Sequence, residues 1–133
     1  MIRALAVVAC FGVASAAAAQ DWNALADVET VEVVTHDDDG KARETTVWLL
    51  VYEGQGYIRT GGTRWGANIQ RDPDLLLRVG GDEFALRTAS IPEGDEYTAL
   101  ADAFRKKYGF QDALMGVVRG IGGTPSIMRL DPR

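Results

Sequence analysis

Closely spaced glycine turns divide residues 44–81 into short segments, and this spacing limits the fold more than any other feature of the sequence. An apolar run at residues 45–52 stops at Gly54 and Gly56, whose backbones can take the positive φ that a hairpin turn requires. After a return strand, residues 64–70 have room for two helical turns before an Asp-Pro dipeptide ends them. The stretch predicts two hairpin strands, a glycine turn and a short helix.

The glycine turn before this helix is a candidate anion-binding site. Gly61, Gly62 and Thr63 can present backbone N–H groups, because threonine caps a helix whose positive dipole end lies behind the turn. Arg59 and Arg64 flank it, and two arginines can hold a phosphate bidentately, so phosphate is favoured over carboxylate. The same residues fit equally well a simple connection that needs glycine flexibility and leaves Arg64 in solvent.

The remainder of the chain predicts further strands and one long helix. Apolar residues recur at helical period from Tyr97 to Tyr108, and the basic end of this helix, residues 105–107, is expected in solvent. A second short helix is expected at residues 111–119, followed by a loop at 120–124. Strands are predicted at residues 28–35, 43–52, 57–60, 75–79, 83–91 and 126–130.

This succession predicts the fold class. About six short strands joined by tight turns are typical of a small antiparallel barrel, and an added helix covers an opening or an edge. We therefore expect an α+β fold, a small antiparallel split β-barrel with one long helix in the C-terminal half and a short helix after strand three.

Residues 1–19 have the three regions of a secretory signal peptide. Arg3 precedes an apolar run, and three alanines at residues 17–19 fit a cleavage site. A lipoprotein cleavage box ending at Cys10 is the less favoured alternative, because hardly any apolar sequence precedes it. We expect a periplasmic or secreted protein in which residues 20–133 form a single domain, with no membrane insertion after cleavage.

Composition argues against several classes of function. Cleavage would remove Cys10, the only cysteine, so that neither a disulfide nor a thiol nucleophile remains. Loss of Arg3 would take the net charge below the −5 of the full chain, which disfavours nucleic acid and membrane surfaces as partners.

Metal and triad chemistry are also disfavoured. His36 is the only histidine and has no second histidine or cysteine as a co-ligand for zinc, and its position offers no Ser-His-Asp triad. The acidic turn at residues 37–39 lacks the alternate spacing of a calcium loop, so it is expected to be a solvated hairpin tip. No metal site is predicted.

Several short motifs resemble those of a known superfamily. They are TTVW ending at Trp48, YIRTGG from Tyr57, LRVGG from Leu77, FRKKYG from Phe104 and MRLDP from Met128. Together they resemble a bacterial family of unassigned function that looks like a branch of the FMN-binding split-barrel superfamily. That superfamily includes pyridoxamine-phosphate oxidases and deazaflavin-dependent nitroreductases.

The resemblance implies a cofactor site and a homodimer. In the flavin-binding relatives, the matching strand, turn and helix hold the cofactor phosphate and ring edge, and two barrels pair around the cofactor. The cofactor-binding residues implied here are Arg59, Thr60, Gly61, Gly62, Thr63, Arg64 and Trp65. The implied cofactor is FMN or a deazaflavin. No catalytic residue is assigned, and the stretch lacks the lysine that many relatives place on the phosphate.

Two hypotheses for function follow. In the first, the protein binds a flavin-type or other phosphorylated cofactor and acts in a redox step, with Trp48 or Trp65 beside the ring. In the second, it is a non-catalytic binding or structural module without a cofactor, which export favours because flavins must be supplied separately outside the cytoplasm. For both tryptophans, packing in the core or in a dimer interface is the favoured explanation.

Overall fold

The computed structural model describes residues 21–109 and 125–133 as a curled antiparallel sheet with two helices. The elements are a 3₁₀ turn (Trp22–Leu25), strands β1 (Thr30–His36), β2 (Ala42–Trp48), β3 (Leu50–Tyr52) and β4 (Gln55–Thr60), helix α1 (Arg64–Arg71), strands β5 (Asp74–Val79) and β6 (Asp82–Ser90), helix α2 (Asp95–Tyr108) and strand β7 (Ser126–Pro132). The strand order is β2-β1-β5-β6-β7-β4-β3. The predicted α+β split barrel is confirmed, with seven strands instead of about six.

Three predicted features lie outside the described residues. These are the signal peptide at residues 1–19, the second short helix at residues 111–119 and the loop at residues 120–124. Among the helices that the structure describes, none is long and apolar enough to cross a membrane.

The seventh strand arises because the central apolar run changes its partner at Leu49. The run pairs with β1 as far as Trp48 and with β4 from Leu50 onward. Because β2 and β3 stand at opposite ends of the strand order, the single residue between them links the two edges, and the sheet curls round. The prediction of one strand over residues 43–52 was right about the extended run and wrong about its continuity.

Side chains along this run alternate between two cores, as the period of two in an extended chain requires. Val47, Leu49 and Val51 face the barrel interior, and Trp48, Leu50 and Tyr52 face α2. The interior also holds, from the other elements, Trp22, Val31, Val33, Ile58, Trp65, Ile69, Leu75, Leu77, Leu86, Met128 and Leu130.

The barrel interior is completed by two elements that do not belong to the sheet. Helix α1 contributes Trp65 and Ile69, which lie one turn apart on its buried face. The 3₁₀ turn contributes Trp22, whose ring packs directly on the backbone of β4 at Gly56. A Cβ atom at Gly56 would lie 2.5 Å from the indole, so only glycine allows this contact.

Helix α2 covers the outer face of the sheet, as its apolar stripe predicted. Leu100 and Phe104 are fully buried, and Tyr108 is nearly so. Gly109 ends the helix with φ of 54°, and its N–H donates to the carbonyl of Arg105 at 2.7 Å. The predicted stripe and C-terminal glycine are therefore confirmed.

The end of α2 also satisfies the strand carbonyls at the change of partner. Leu49 lies outside both strand ladders, and its carbonyl accepts hydrogen bonds from Lys107 Nζ at 2.8 Å and from the Tyr108 hydroxyl at 2.6 Å. Lys107 Nζ also donates to the carbonyl of Val28 at 2.5 Å. The Tyr108 hydroxyl also lies 2.6 Å from the backbone carbonyl oxygen of Glu29. The expectation that residues 105–107 are all in solvent was wrong for Lys107, whose pKa is lowered by burial.

We predict that Gly56→Ala destabilises the protein by about 1–3 kcal/mol, the usual cost of overpacking a core. The added methyl group must displace the Trp22 ring. Gly62→Ala is the matched control, because a Cβ at Gly62 has no neighbour within 4 Å, and it should change stability by less than about 0.5 kcal/mol. Urea unfolding of residues 20–133 measures both, and equal stabilities would show that Trp22 does not lie on Gly56.

We also predict that Lys107→Met and Tyr108→Phe are non-additive. Each single variant leaves the Leu49 carbonyl with one donor and should cost about 0.5–1.5 kcal/mol. The double variant leaves that carbonyl without either donor, so its cost should exceed the sum of the two. A double-mutant cycle in urea tests this, and simple additivity would mean that the carbonyl finds another donor.

Candidate functional site

Arg59 and Thr60 end β4 and point to opposite sides of the sheet. Ile58, between Tyr57 and Arg59, is in the barrel interior, so Arg59 shares the outer face with Tyr57, as the alternation predicted. The Arg59 guanidinium carbon lies 4.6 Å from the centre of the Phe104 ring and 5.6 Å from that of Trp48. The structure therefore directs this predicted cofactor ligand toward α2.

The turn after β4 is braced by its own threonines. The hydroxyls of Thr60 and Thr63 lie 2.5 Å apart, and that of Thr63 accepts from the N–H of Gly66 at 3.1 Å, which caps α1 as predicted. The N–H of Thr63 donates to the carbonyl of Gly61 at 2.9 Å. The N–H of Thr63, one of the three in the predicted anion seat, is thus bonded within the chain, while the Cα of Gly62 faces open space.

Arg64 and Trp65 are neighbours in α1 with opposite surroundings. Arg64, the first residue of the helix, is exposed, whereas Trp65 is 5% exposed inside the barrel. Trp48 is half-buried and stacks on Tyr108, with ring centroids 4.2 Å apart and planes 5° apart. Both tryptophans therefore pack against protein, the explanation that the sequence favoured for each.

Helix α1 is tied to the β1–β2 hairpin by a polar network that the sequence analysis missed. Asn68, 3% exposed, donates through Nδ2 to Thr35 Oγ1 at 3.0 Å and to Asp37 Oδ1 at 2.9 Å. Arg43 binds both oxygens of Asp37, at 2.8 and 3.0 Å. Arg71 donates to Asn68 Oδ1 at 3.1 Å. The second half of α1 is consequently held in a fixed position over the hairpin.

This network corrects the expectation of a solvated acidic turn. Asp38 and Asp39 are exposed, but Asp37 is half-buried and holds two partners. The only sequence signal for the ion pair of Asp37 was the presence of an arginine, Arg43, across the tight hairpin. The contribution of Asn68 had no signal of its own, because it depends on where α1 packs.

The hydrogen bonds at Asp37 change its acidity. Chiefly the bond from Arg43, and then the bond from Asn68, lower the pKa of the Asp37 carboxyl from 3.8 to about 2. The same bond raises the pKa of Arg43. The charge of Arg64 also lowers the pKa of Asp37, as the smallest of these causes.

Other polar groups lie apart from the predicted site. A surface depression at the β5–β6 turn is lined by Glu32, Arg78, Gly80, Gly81, Asp82 and Glu83, none of which belongs to the predicted set. Within residues 21–109 and 125–133, no group of three or more histidine, cysteine or acidic side chains is arranged to hold a metal ion.

Comparison with solved structures identifies the architecture. Campylobacter jejuni ChuZ matches with a TM-score of 0.67 and 13% identity over 92% of this chain, which spans only 53% of ChuZ. The F420-H2 dependent reductase FDR-A matches with a TM-score of 0.63 and 12% identity, covering 78% of this chain and 95% of its own. HutZ, the heme storage protein from Vibrio cholerae, matches with a TM-score of 0.54 and 11% identity, and the match covers 79% of this chain and 82% of HutZ.

The fold is the split barrel. The resemblance predicted from the sequence motifs is thereby confirmed at the level of the fold. No protein-family model matches the chain, and no curated protein does. Identities of 11–13% carry no residue roles from one split barrel to another, so the site must be argued from this chain's own geometry.

We predict that Asp37 carries part of the acid sensitivity of the fold. Because its pKa is lowered from 3.8 to about 2, the ionised carboxylate stabilises the fold above the unfolded value, and this contribution is lost as the pH falls toward 2. Asp37→Asn should flatten stability against pH in that window, and Asn68→Ala should flatten it in part. Urea midpoints from acid to neutral pH measure the slopes, and a slope for Asp37→Asn identical to the wild type would refute the assignment.

Proposed function

We propose that this chain is a cofactor-binding split-barrel protein that holds the phosphate of a flavin-type cofactor at the β4–α1 turn and acts in a redox step. The observation that carries the proposal is the combination at this turn of an exposed guanidinium, Arg64, with a glycine, Gly62, that faces open space. The F420-dependent reductase and the heme storage protein that share the fold support a cofactor role.

The turn fits a phosphate group in part. Thr60 and Thr63 brace it, and the Gly66 N–H is already capped, so the remaining attraction comes from Arg64 and the helix dipole at the start of α1. At Gly62 a ligand oxygen can approach the backbone without meeting a side chain. These residues bind and orient, and the bound flavin supplies the electron transfer.

Arg59 adds a second positive charge on the other side of β4. Its guanidinium lies over Phe104 and beside Trp48. Cation–π contacts of this kind contribute about 0.5–2 kcal/mol and fix the direction of the side chain. We assign to Arg59 the role of a fixed charge near the site, together with the half-buried ring of Trp48.

We further propose that the protein is exported to the periplasm or secreted, and that it forms a homodimer. Export rests on the charged, apolar and small-residue regions of residues 1–19. The dimer rests on the resemblance to flavin-binding split barrels, which pair around their cofactors. An N-terminal sequence that starts at Gln20 or Asp21 in the exported protein, together with the mass in solution, tests these two statements.

A second candidate, the non-catalytic binding or structural module, has its own support. Trp48 and Trp65 are both packed against protein, and the N–H groups of Thr63 and Gly66 are bonded within the chain. A barrel that had lost its cofactor would have these properties. The two candidates differ in whether any cofactor binds.

A titration of residues 20–133 with FMN, riboflavin, F420 and hemin separates the two candidates. We expect saturable binding of a flavin or deazaflavin, followed by its absorbance and by the thermal shift of the protein. Arg64→Ala should weaken binding about tenfold or more, because a charge-assisted hydrogen bond contributes about 1.5–3 kcal/mol. Arg105→Ala is the matched control, since this exposed arginine on α2 pairs with Asp102.

A second pair of variants tests the seat without removing an arginine. Gly62→Ala places a methyl group where the ligand oxygen approaches and should weaken binding, whereas Gly62→Asp adds a negative charge at the same position and should abolish phosphate binding. Equal binding by both variants would move the site away from this turn. Absence of binding by wild type to all four compounds would leave the non-catalytic module.

A further inference from the structure

The 3₁₀ turn at the start of the described chain contributes to the barrel interior from outside the sheet. Trp22 is 5% exposed and belongs to the interior cluster, and its indole ring packs on the backbone of Gly56 in β4. Leu25 and Val28, which follow it, pack against the same cluster. The turn Trp22–Leu25 is therefore a plug that completes the interior of the barrel.

This plug begins directly after the predicted signal cleavage site. The predicted bond follows Ala19 or Gln20, so Trp22 would be the third or the second residue of the processed chain. Because an extended chain spans at most about 3.6 Å per residue, this bond lies within roughly 11 Å of the Trp22 Cα atom. The bond to be cut is thus tied closely to a side chain of the core.

Cleavage and docking of the plug require different conformations of the same residues. A peptidase takes up an exposed, extended segment, with residues on both sides of the bond in its cleft. In the folded chain the backbone instead turns at Asp21, whose carbonyl accepts from the N–H of Ala24 at 3.3 Å, and Trp22 is held inside the barrel. The chain between the bond and Trp22 is too short to satisfy both conformations.

We infer that Trp22 makes signal cleavage and completion of the barrel mutually exclusive, so that the chain is processed before the plug docks. The inference rests on the proposed export and adds the order of the two events. A precursor that completed its barrel first would be cut only during the openings in which Trp22 leaves the interior. From the usual cost of removing a buried tryptophan, the open state is about a hundredfold less populated than the docked state, or less.

The full precursor, residues 1–133, and a purified type I signal peptidase in detergent micelles test the inference. A cooperative urea transition first establishes that the wild-type precursor is folded. It should then be cut at least about a hundredfold more slowly than the Ile58→Asp precursor, which an unpaired charge in the barrel interior keeps unfolded. Mass spectrometry locates the cut, and the rate at which the product forms is the readout.

A pair of glycine variants tests the role of the plug in the folded precursor. Gly56→Ala should raise the rate of cutting by about fivefold or more, because the added methyl group displaces the Trp22 ring. Gly62→Ala is the matched control and should leave the rate unchanged, since a Cβ at Gly62 has no neighbour within 4 Å.

Phe104→Leu controls for a general loss of stability. Phe104 is fully buried in the second core under α2, which does not contain Trp22, so this variant weakens the fold without loosening the plug. It should leave the rate of cutting unchanged under conditions in which the precursor stays folded.

Three results would contradict the inference. Equal rates for the folded wild type and Ile58→Asp overturn it and leave the proposed export standing. Equal acceleration by Gly56→Ala and Phe104→Leu means that global unfolding exposes the bond, which overturns the role of Trp22. An Ile58→Asp precursor that is not cut after Ala19 or Gln20 removes the proposed export and this inference together.

Discussion

The architecture depends on a carbonyl group, that of Leu49, at the point where one extended run leaves β1 and joins β4. A strand that changes its partner within one residue leaves a backbone oxygen outside both ladders, and a buried oxygen without a donor costs about 1–3 kcal/mol. Lys107 and Tyr108 supply the donors from the end of α2. Docking of the long helix therefore stabilises the change of partner at Leu49, and it also buries the outer face of β3 and β4.

A second set of polar contacts fixes the position of α1 in the candidate site, as the Leu49 contacts stabilise the change of partner in the barrel. The interior face of α1 is held by Trp65 and Ile69, which fix the depth of the helix in the barrel but not its rotation against the hairpin. The hydrogen bond between Asn68 and Asp37 is directional and fixes this rotation. It thereby also fixes the backbone position of Arg64, which lies one turn before Asn68 in the helix. Buried polar networks of this kind are costly when broken and specific when complete. The placement of the exposed arginine thus follows from contacts that α1 makes within the chain.

The spacing of apolar residues and the residue types typical of turns and caps predicted most of the fold, because both depend on residues close together in the chain. Alternation separated the interior residue Ile58 from its neighbour Arg59, helical spacing selected Leu100 and Phe104, and the N-cap Thr63 marked the start of α1. The features that were missed are contacts between residues far apart in the chain, such as Lys107 with Leu49 and Asn68 with Asp37. No sequence pattern distinguishes a lysine that caps a strand carbonyl from one in solvent. For the candidate site, residue types were predictable, whereas their directions depend on how α1 and α2 pack.

The positions of Arg59 and Arg64 limit the shape of the ligand that could contact both residues. Proximity in sequence suggested that the two arginines bind a single phosphate, but the guanidinium of Arg59 lies against Phe104 and Trp48, whereas Arg64 is exposed at the first position of α1. A ligand that used both would have to reach across the end of β4, with its anionic group near Arg64 and an electron-rich or planar part near Arg59. A flat cofactor joined by a linker to a phosphoryl group has this shape, and a compact anion such as inorganic phosphate does not. Within the proposed function, the separation of the two charges therefore favours an extended cofactor over a small anion.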